Sequence, residues 1–453
     1  MITHHFIPYD QFYDYAINLC QNPYAIWLDS ADIEHKNGHH SFVMADPFVK
    51  YKMNDYDIDF LDQLKKHSLF SNQSQASIYQ ERQKHQNQLP PFIGGFCGFL
   101  SYDYSVFERF NMPPPTKTHT HLPHIYGGLY DVVLYANHQT KVAGITALAM
   151  HPTETPNQRI KIISQMARKK HNCASTDIVP LKFDDNDAKL YMKQVQQTID
   201  YIEQGDIFQA NITRPIQKKR PENFNSLQHY LKLRTINNAP FGVYMHDTAF
   251  QILSASPERF LKINNRHIIV EPIKGTIQSH ADKVIDQERQ YTLQNCPKNR
   301  AENIMIVDLL RNDITPHCQT GSIKVTQLCN LQSFKGLHHL ISTITATMIP
   351  NAHIIDILKT ALPAGSITGA PKKRVCEIIY ELEKAQRGAY CGNIGYVGFD
   401  GQCDMNILIR TLQIDKKNIT FNSGCGITAQ SDPKLEWQET QTKIAKIIQI
   451  FSN

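Results

Sequence analysis

Ile269-Val270-Glu271-Pro272-Ile273-Lys274-Gly275-Thr276 (IVEPIKGT) runs two β-branched residues into a proline, then follows a lysine with Gly-Thr. That order predicts a strand ending in a tight turn, with one amine held at its mouth. A lysine so placed is ordinarily a solvated surface charge. The C-terminal half of the chain reopens the question, because it supplies carboxylates, a glycine-rich turn and an arginine that could share a pocket with this amine.

A chain of 453 residues is too long for one ordinary core, so two domains, or one large intertwined one, are expected. The 41% apolar and 20% charged fractions are those of a soluble globular protein. No apolar run approaches the roughly 18 residues that a membrane span needs. The N-terminal text, MITHHFIPYDQFYDY, carries no basic stretch leading into an apolar one, so no signal peptide is expected. Ten scattered cysteines without a CxxC pair point to reduced thiols and a cytoplasmic location. The net charge of +5 is unclustered, which argues against nucleic acid as a partner and leaves small anionic substrates open. The histidine clusters, such as His119, His121 and His124, lack partner cysteines or carboxylates at ligand spacing and predict no metal site.

In order along the chain, residues 1–150 read as a β-rich domain, with strand-like stretches at Ala25–Leu28, His124–Tyr135 and Val142–Leu148. Cys97 lies in IGGFCGFLSYD (93–103), but a nucleophile elbow would need glycine where Phe99 stands, so close backbone approach is the use expected of those glycines. Residues 151–185 read as a helix and linker, and 186–453 as a second domain. That domain opens with an amphipathic helix over Asp187–Gln204. Asn299–Asn312 has helical spacing with Met305, Ile306, Leu309 and Leu310 as its buried stripe, and Glu302 near the stripe's edge. Pro371–Ala385 reads as a helix ended near Gly388, and Lys434–Phe451 as a long closing helix. That last helix carries Glu436, Glu439 and Lys443 on one face, a spacing most often seen on solvated faces. GSITGAPK (365–372) departs from a phosphate loop, yet is a glycine turn feeding a helix N-terminus, a natural seat for a carboxylate or hydroxyl.

The ordered motifs DIFQAN, SASPERF, EPIKGT, RAENIMIVDLLRND, HHLISTITA, PAGSITGAPKKR, RGAYCGNIGYVG, MNILIRT and GCGITAQSDPKLEWQET span residues 186–450 and resemble the chorismate-utilising enzymes. IWLDS (26–30) and GGFCGF (94–99) add weaker matches of the N-terminal part to the same family. The fold this resemblance implies is α+β: two large antiparallel sheets packed as a sandwich, helices outside, with the site in a cleft near the C-terminal half. Two positions separate the family's chemistries. Members that add water to chorismate resemble one another in a basic lysine where this chain has Gln209, since water needs a base and ammonia does not. Lys274, with Asn211 of QAN, resembles the branch that makes 4-amino-4-deoxychorismate; the branch that makes anthranilate has alanine at the lysine's place.

The resemblance implies that the Lys274 amine attacks C2 of chorismate as the C4 hydroxyl departs, and that ammonia then attacks C4 and expels the lysine. Glu258 matches the proton donor to the departing hydroxyl. Glu302 and Glu439, with Glu436 in support, match positions that hold Mg²⁺ against the ring carboxylate. Arg410, Tyr390 and the backbone of Gly426 match positions that hold the enolpyruvyl carboxylate. Gly275, Thr276, His339 and Ser366 match ring-lining positions, and Lys443 one near the ring carboxylate. Pro297 and Asn299 depart from the family text before Glu302, removing an aspartate, and Leu362 replaces a phenylalanine. No stretch supplies a glutamine amidotransferase, so ammonia is expected from a separate subunit. Ser30 and Trp27 stand where family members line a tryptophan pocket. Two rivals remain: the anthranilate-forming reaction, and a non-catalytic protein that binds chorismate or tryptophan. Lys274 stands against the first; Glu258, Lys274, Glu302, Arg410 and Glu439 together stand against the second.

Overall fold

The computed structural model of the protein describes residues 2–85, 88–169, 178–183, 187–334 and 336–452. Two large antiparallel sheets form its frame. The first has 11 strands in the order Ile2–Ile7, Val142–Leu148, Val132–Asn137, His40–Met44, Ala25–Asp29, Phe241–His246, Gln251–Ser256, Thr411–Ile414, Asn418–Ile427, Gln209–Lys219 and Gly369–Ala370. The second has 10, among them Ile273–Gln278, Leu337–Thr347, Arg259–Asn264, Asn393–Gly398 and Gly95–Leu100. Ala25–Asp29 pairs with Phe241–His246, and Gly95–Leu100 with Asn393–Gly398. Strands from 1–150 and from 186–453 therefore lie side by side in both sheets. Of the stretch between, Pro156–Arg168 is a helix, and much of the linker lies outside the described residues.

Side chains alternate across each strand, and the alternation builds the layers. Ile26, Phe42, Val243 and Ile252 of the first sheet meet Cys97, Phe99, Tyr126 and Ile394 of the second in one core between the sheets. Their neighbours Trp27, Tyr244 and Leu253 point the other way, under helices Phe12–Leu19, Ser226–Ile236 and Pro433–Ile448. Phe96 and Leu100 likewise turn outward toward Phe60–Lys66, Tyr102–Phe110 and Ile354–Ala361. The sandwich with outer helices implied by the resemblance is the fold observed. Cys97 is wholly buried between the sheets, and a Cβ on its neighbour Gly98 would stand 2.4 Å from the Tyr126 carbonyl oxygen. The glycine there serves close strand approach.

Three local expectations need correction. The helix over 299–312 begins earlier, at Pro297, and its buried apolar residues are Ile306, Val307, Leu310 and Ile314, with Met305 and Leu309 only partly covered. Proline at the first helical position costs no hydrogen bond, so the helix extends back to it. The helix after GSITGAPK runs Lys372–Glu383 and ends on Lys384 in the left-handed conformation, four residues before Gly388. IVEPIKGT does not end a strand in a turn. The strand His267–Val270 breaks at Glu271-Pro272, and pairing resumes over Ile273–Gln278 against the same partner, Leu337–Thr347, through a bulge between Ile273 and Thr276.

The core also holds histidines that burial keeps neutral. His35, His40, His124 and His138 are lowered to about 4, and His339 to about 3, each chiefly by burial. An unfolded chain protonates its histidines near pH 6.5. Below that pH the unfolded state binds more protons than the native one, so stability falls as pH falls from about 6.5 toward 4. Asp103, raised to about 6 by burial, acts in the opposite sense and offsets part of the loss. The urea midpoint is expected to be lower at about pH 5.5 than at about pH 7.5; an unchanged midpoint would refute neutral burial of these rings.

Candidate active site

The bulge sets Lys274. Gly275 beside it takes φ +86°, and a Cβ there would lie 3.0 Å from the Asn299 side chain. Glycine thus serves both the left-handed backbone and the close approach of the helix Pro297–Ile314. Lys274 Nζ donates to the backbone oxygen of Ser366 at 2.9 Å, in the turn Gly365–Ile367. Glu258 meets the same turn: its carboxylate accepts from the Ser366 side chain and from the Ile273 backbone N–H. It is 5% exposed, and its Oε1 is buried without a hydrogen-bond partner among the described residues. Burial raises the Glu258 pKa against the opposing pull of Lys274. An amine and a carboxyl group disposed to hold a proton therefore converge on one turn.

Beyond the bulge, Thr276 stands opposite His339 in the ladder, and Thr276 Oγ1 lies 2.7 Å from His339 Nδ1. Thr276 is exposed and His339 buried, its charge disfavoured by burial and then by Arg410. His339, Ile273 and Arg410 line a small cavity of about 40 Å³. Arg410 Nη1 reaches Asn237 Oδ1 at 3.5 Å, and burial lowers the Arg410 pKa. An anion in this cavity would meet a partly buried guanidinium.

The carboxylates gather on the other side of Lys274. Strand Asn418–Ile427 lies against helix Pro433–Ile448, joined by Ser423 Oγ donating to Thr440 O at 3.0 Å. That packing sets Glu436 deep and leaves the Glu439 side chain 51% exposed. Glu436 Oε1 accepts from Lys298 Nζ at 2.9 Å and from Ser431 Oγ at 2.6 Å. Glu439 pairs with Lys443 at 2.7 Å, the i,i+4 pair expected of the spacing, while Lys443 Nζ also donates to Gly424 O at 2.9 Å. Glu302 joins them from the neighbouring helix, with no hydrogen bond or ion pair of its own among the described residues. Its pKa is raised by burial first and by Glu436 and Glu439 as well, against Lys274 and Lys298. Burial raises the Glu439 pKa too, but Lys443 outweighs it and the net shift is downward. Gly426 adjoins this group: a Cβ there would stand 2.2 Å from Gln209 Nε2 and 3.5 Å from Glu302 Oε2. Carboxylates are the hard oxygen donors that suit a magnesium ion, and Glu302 is the one with neither a hydrogen bond nor an ion pair among the described residues.

Lys274 faces both Glu258 and Glu302, so the two clusters belong to one site. Tyr390 is buried with Arg387, Cys391 and Cys425 around it, and Arg410 turns to Asn237 and the small cavity; no hydrogen bond joins Tyr390 to Arg410 among the described residues. Ser30 lies apart. It donates to His40 O at 2.6 Å and lines a separate cavity of about 190 Å³ with Phe42, Phe241 and Tyr396. Reasoning from the sequence did not single out Lys298, Ser431 or Cys425 as part of the carboxylate cluster. Cys425 stood inside GCGIT beside Gly426, but only strand–helix packing brings its sulfur under Glu436.

Residues 24–449 match the sequence profile of the chorismate binding enzyme family. The chain belongs to that family, the chorismate-utilising enzymes. It is 36% identical to aminodeoxychorismate synthase component 1 of Salmonella typhimurium over 380 residues, 80% of this chain and 78% of the relative. It is 29% identical to anthranilate synthase component 1 of Bacillus subtilis over 448 residues, 93% of this chain and 86% of the relative. The crystal structure of anthranilate synthase component I from Streptococcus pneumoniae superposes with a TM-score of 0.78 at 26% identity, over 90% of this chain and 92% of that one.

Gly275→Ala should test the bulge. The substitution forces a left-handed alanine against Asn299 and is expected to cost about 1–2 kcal/mol, seen as a lowered urea midpoint. An unchanged midpoint would show that the bulge tolerates a Cβ.

Proposed function

We propose that this chain is the chorismate-aminating component of an aminodeoxychorismate synthase, making 4-amino-4-deoxychorismate for p-aminobenzoate and folate synthesis. The observation that carries this reading is Lys274 beside Glu258 on the Ser366 turn, with the Glu302 group across from the amine. The Lys274 nitrogen forms a bond to C2 as both ring double bonds shift and the C4–O bond breaks. Glu258, disposed by burial to carry a proton, gives it to the departing hydroxyl, which leaves as water. The amine's own surplus proton returns to the Glu258 carboxylate. Ammonia then bonds to C4 while the double bonds shift back and the C2–N bond breaks; the incoming nitrogen gives up one proton, the departing nitrogen takes one up, and Lys274 is released as the free amine. Splitting one displacement into two is what a nucleophilic lysine accomplishes.

Glu302, Glu436 and Glu439 would hold Mg²⁺, which when bound neutralises the ring carboxylate. Arg410, partly buried at the small cavity, is assigned to the enolpyruvyl carboxylate. Gln209 favours ammonia over water, since an amide cannot serve as the base that water needs. Ammonia comes from a separate glutamine amidotransferase subunit, and the complex works in the cytoplasm. The cavity at Ser30 is assigned to a tryptophan-sized ligand, for which Phe42, Phe241 and Tyr396 supply apolar walls.

Incubation with chorismate, Mg²⁺ and ammonium at high pH should yield 4-amino-4-deoxychorismate by chromatography; anthranilate with pyruvate would overturn the assignment. Intact-mass spectrometry with chorismate alone should reveal an adduct that Lys274→Ala lacks, and an adduct persisting in that variant would remove the covalent role. Glu258→Gln is expected to lower kcat by about 10²–10⁴-fold. In the native protein the rate should fall as pH rises through the elevated Glu258 pKa, because the acid then loses its proton. Retention of that alkaline limb in Glu258→Gln would assign it elsewhere.

A further inference from the structure

We infer that Asn237 and Lys446 join Arg410 in holding the enolpyruvyl carboxylate of chorismate at the small cavity. All three residues line that space, and they reach it from separate elements. Asn237 caps the end of helix Ser226–Ile236, Arg410 immediately precedes strand Thr411–Ile414, and Lys446 sits in the last turn of Pro433–Ile448. Segments far apart in the chain thus bring one amide and two cations to one place. By the roughly 10–15 Å³ that one water needs, about 40 Å³ admits the three heavy atoms of a carboxylate.

The charge count at this cavity favours one anion. Its permanently basic side chains are Arg410 and Lys446, and its single acidic one is Asp32. His35 and His339 line it too, but burial keeps both rings neutral near pH 7. The balance is one positive charge, which one carboxylate cancels. Neither Arg410 nor Lys446 forms an ion pair with a carboxylate among the described residues. Burial first, and the Arg410 charge second, lower the Lys446 pKa, so the two cations lie close enough to repel. An anion bound beside both replaces that repulsion with two attractions.

Asn237 supplies direction. It is 3% exposed, and its Oδ1 accepts from Arg410 Nη1 at 3.5 Å. Its Nδ2 is buried without a hydrogen-bond partner among the described residues. The Asn237 backbone N–H donates to Leu233 O at 2.8 Å, which fixes the residue at the helix end. A buried donor left unmade is costly, and a carboxylate oxygen beside Arg410 gives it an acceptor. The inference rests on the assignment of Arg410 to this carboxylate under the proposed function, and not on which product the chain forms.

The probe is a benzoate carrying a meta carboxyvinyloxy arm, which has both carboxylates of chorismate and no hydroxyl to expel. Its arm amide is the control, and each is titrated calorimetrically into the full chain with Mg²⁺ present. Lys446→Gln is expected to weaken the diacid about 3-fold and Asn237→Ala about 10-fold. Arg410→Gln should weaken it at least as much, and Lys446→Gln should leave the affinity for the arm amide unchanged. Lys446 is exposed, so its substitution spares the fold and keeps the test open should Asn237→Ala lower the urea midpoint. Native affinity for the diacid in either variant, or an equal loss for diacid and amide in Lys446→Gln, would overturn the inference and leave the Arg410 assignment in place. Unchanged affinity in Arg410→Gln would refute that assignment, and the inference with it.

Discussion

Carboxylates drawn together in a half-buried cleft repel one another unless cations offset them, and the candidate site is organised around that constraint. Glu302, Glu436 and Glu439 come from two helices, and Lys298 and Lys443 are set against the latter two. Glu302, with no ammonium bonded to it, is the one whose pKa is pushed up. That imbalance leaves the cleft short of positive charge at the place where a divalent cation would sit. Lys274 acts on Glu302 of this group and on Glu258 alike, two carboxyl groups whose pKa burial raises.

The frame that holds these groups is itself a consequence of antiparallel pairing. Gln209–Lys219 runs beside Asn418–Ile427, so Asn211 stands opposite Gly426 and Gln209 lies at the strand's start, within reach of the same cleft. The N-terminal strands extend both sheets and contribute no residue to the carboxylate cluster. Their loop instead reaches Glu271, three residues before Lys274: Lys36 and Asn37, joined by Arg259 of the second sheet, hold its carboxylate at 2.6, 3.1 and 2.7 Å. Those three residues also line the larger cavity at Ser30. Buried ion pairs of this kind fix geometry more than they add stability. Here they tether the wall of one cavity to the chain segment that leads to Lys274.

The lysine of IVEPIKGT shows where linear reading loses track. Proline and glycine around it signal a break in a strand, and a turn is the commonest kind of break. The chain instead resumes pairing with the same partner strand, because Leu337–Thr347 is long enough to serve both His267–Val270 and Ile273–Gln278. The buried stripe of Pro297–Ile314 was displaced for a similar reason. Helical periodicity gives a face but not the neighbour that covers it, and Val307 and Ile314 are buried where Met305 and Leu309 are only partly covered.

Motif order along residues 186–450 was enough to identify the family, the two-sheet fold and the candidate residues Lys274, Glu258, Glu302, Glu436 and Glu439, because each motif is contiguous and its residue types carry their chemistry with them. What pairs with what was decided only in three dimensions. Lys298 with Glu436, Glu258 with the Ser366 turn, and Cys425 beneath Glu436 join residues 138, 108 and 11 positions apart. Burial and charge neighbourhood set the protonation of a carboxyl group, and neither is a property of the residue's place in the chain.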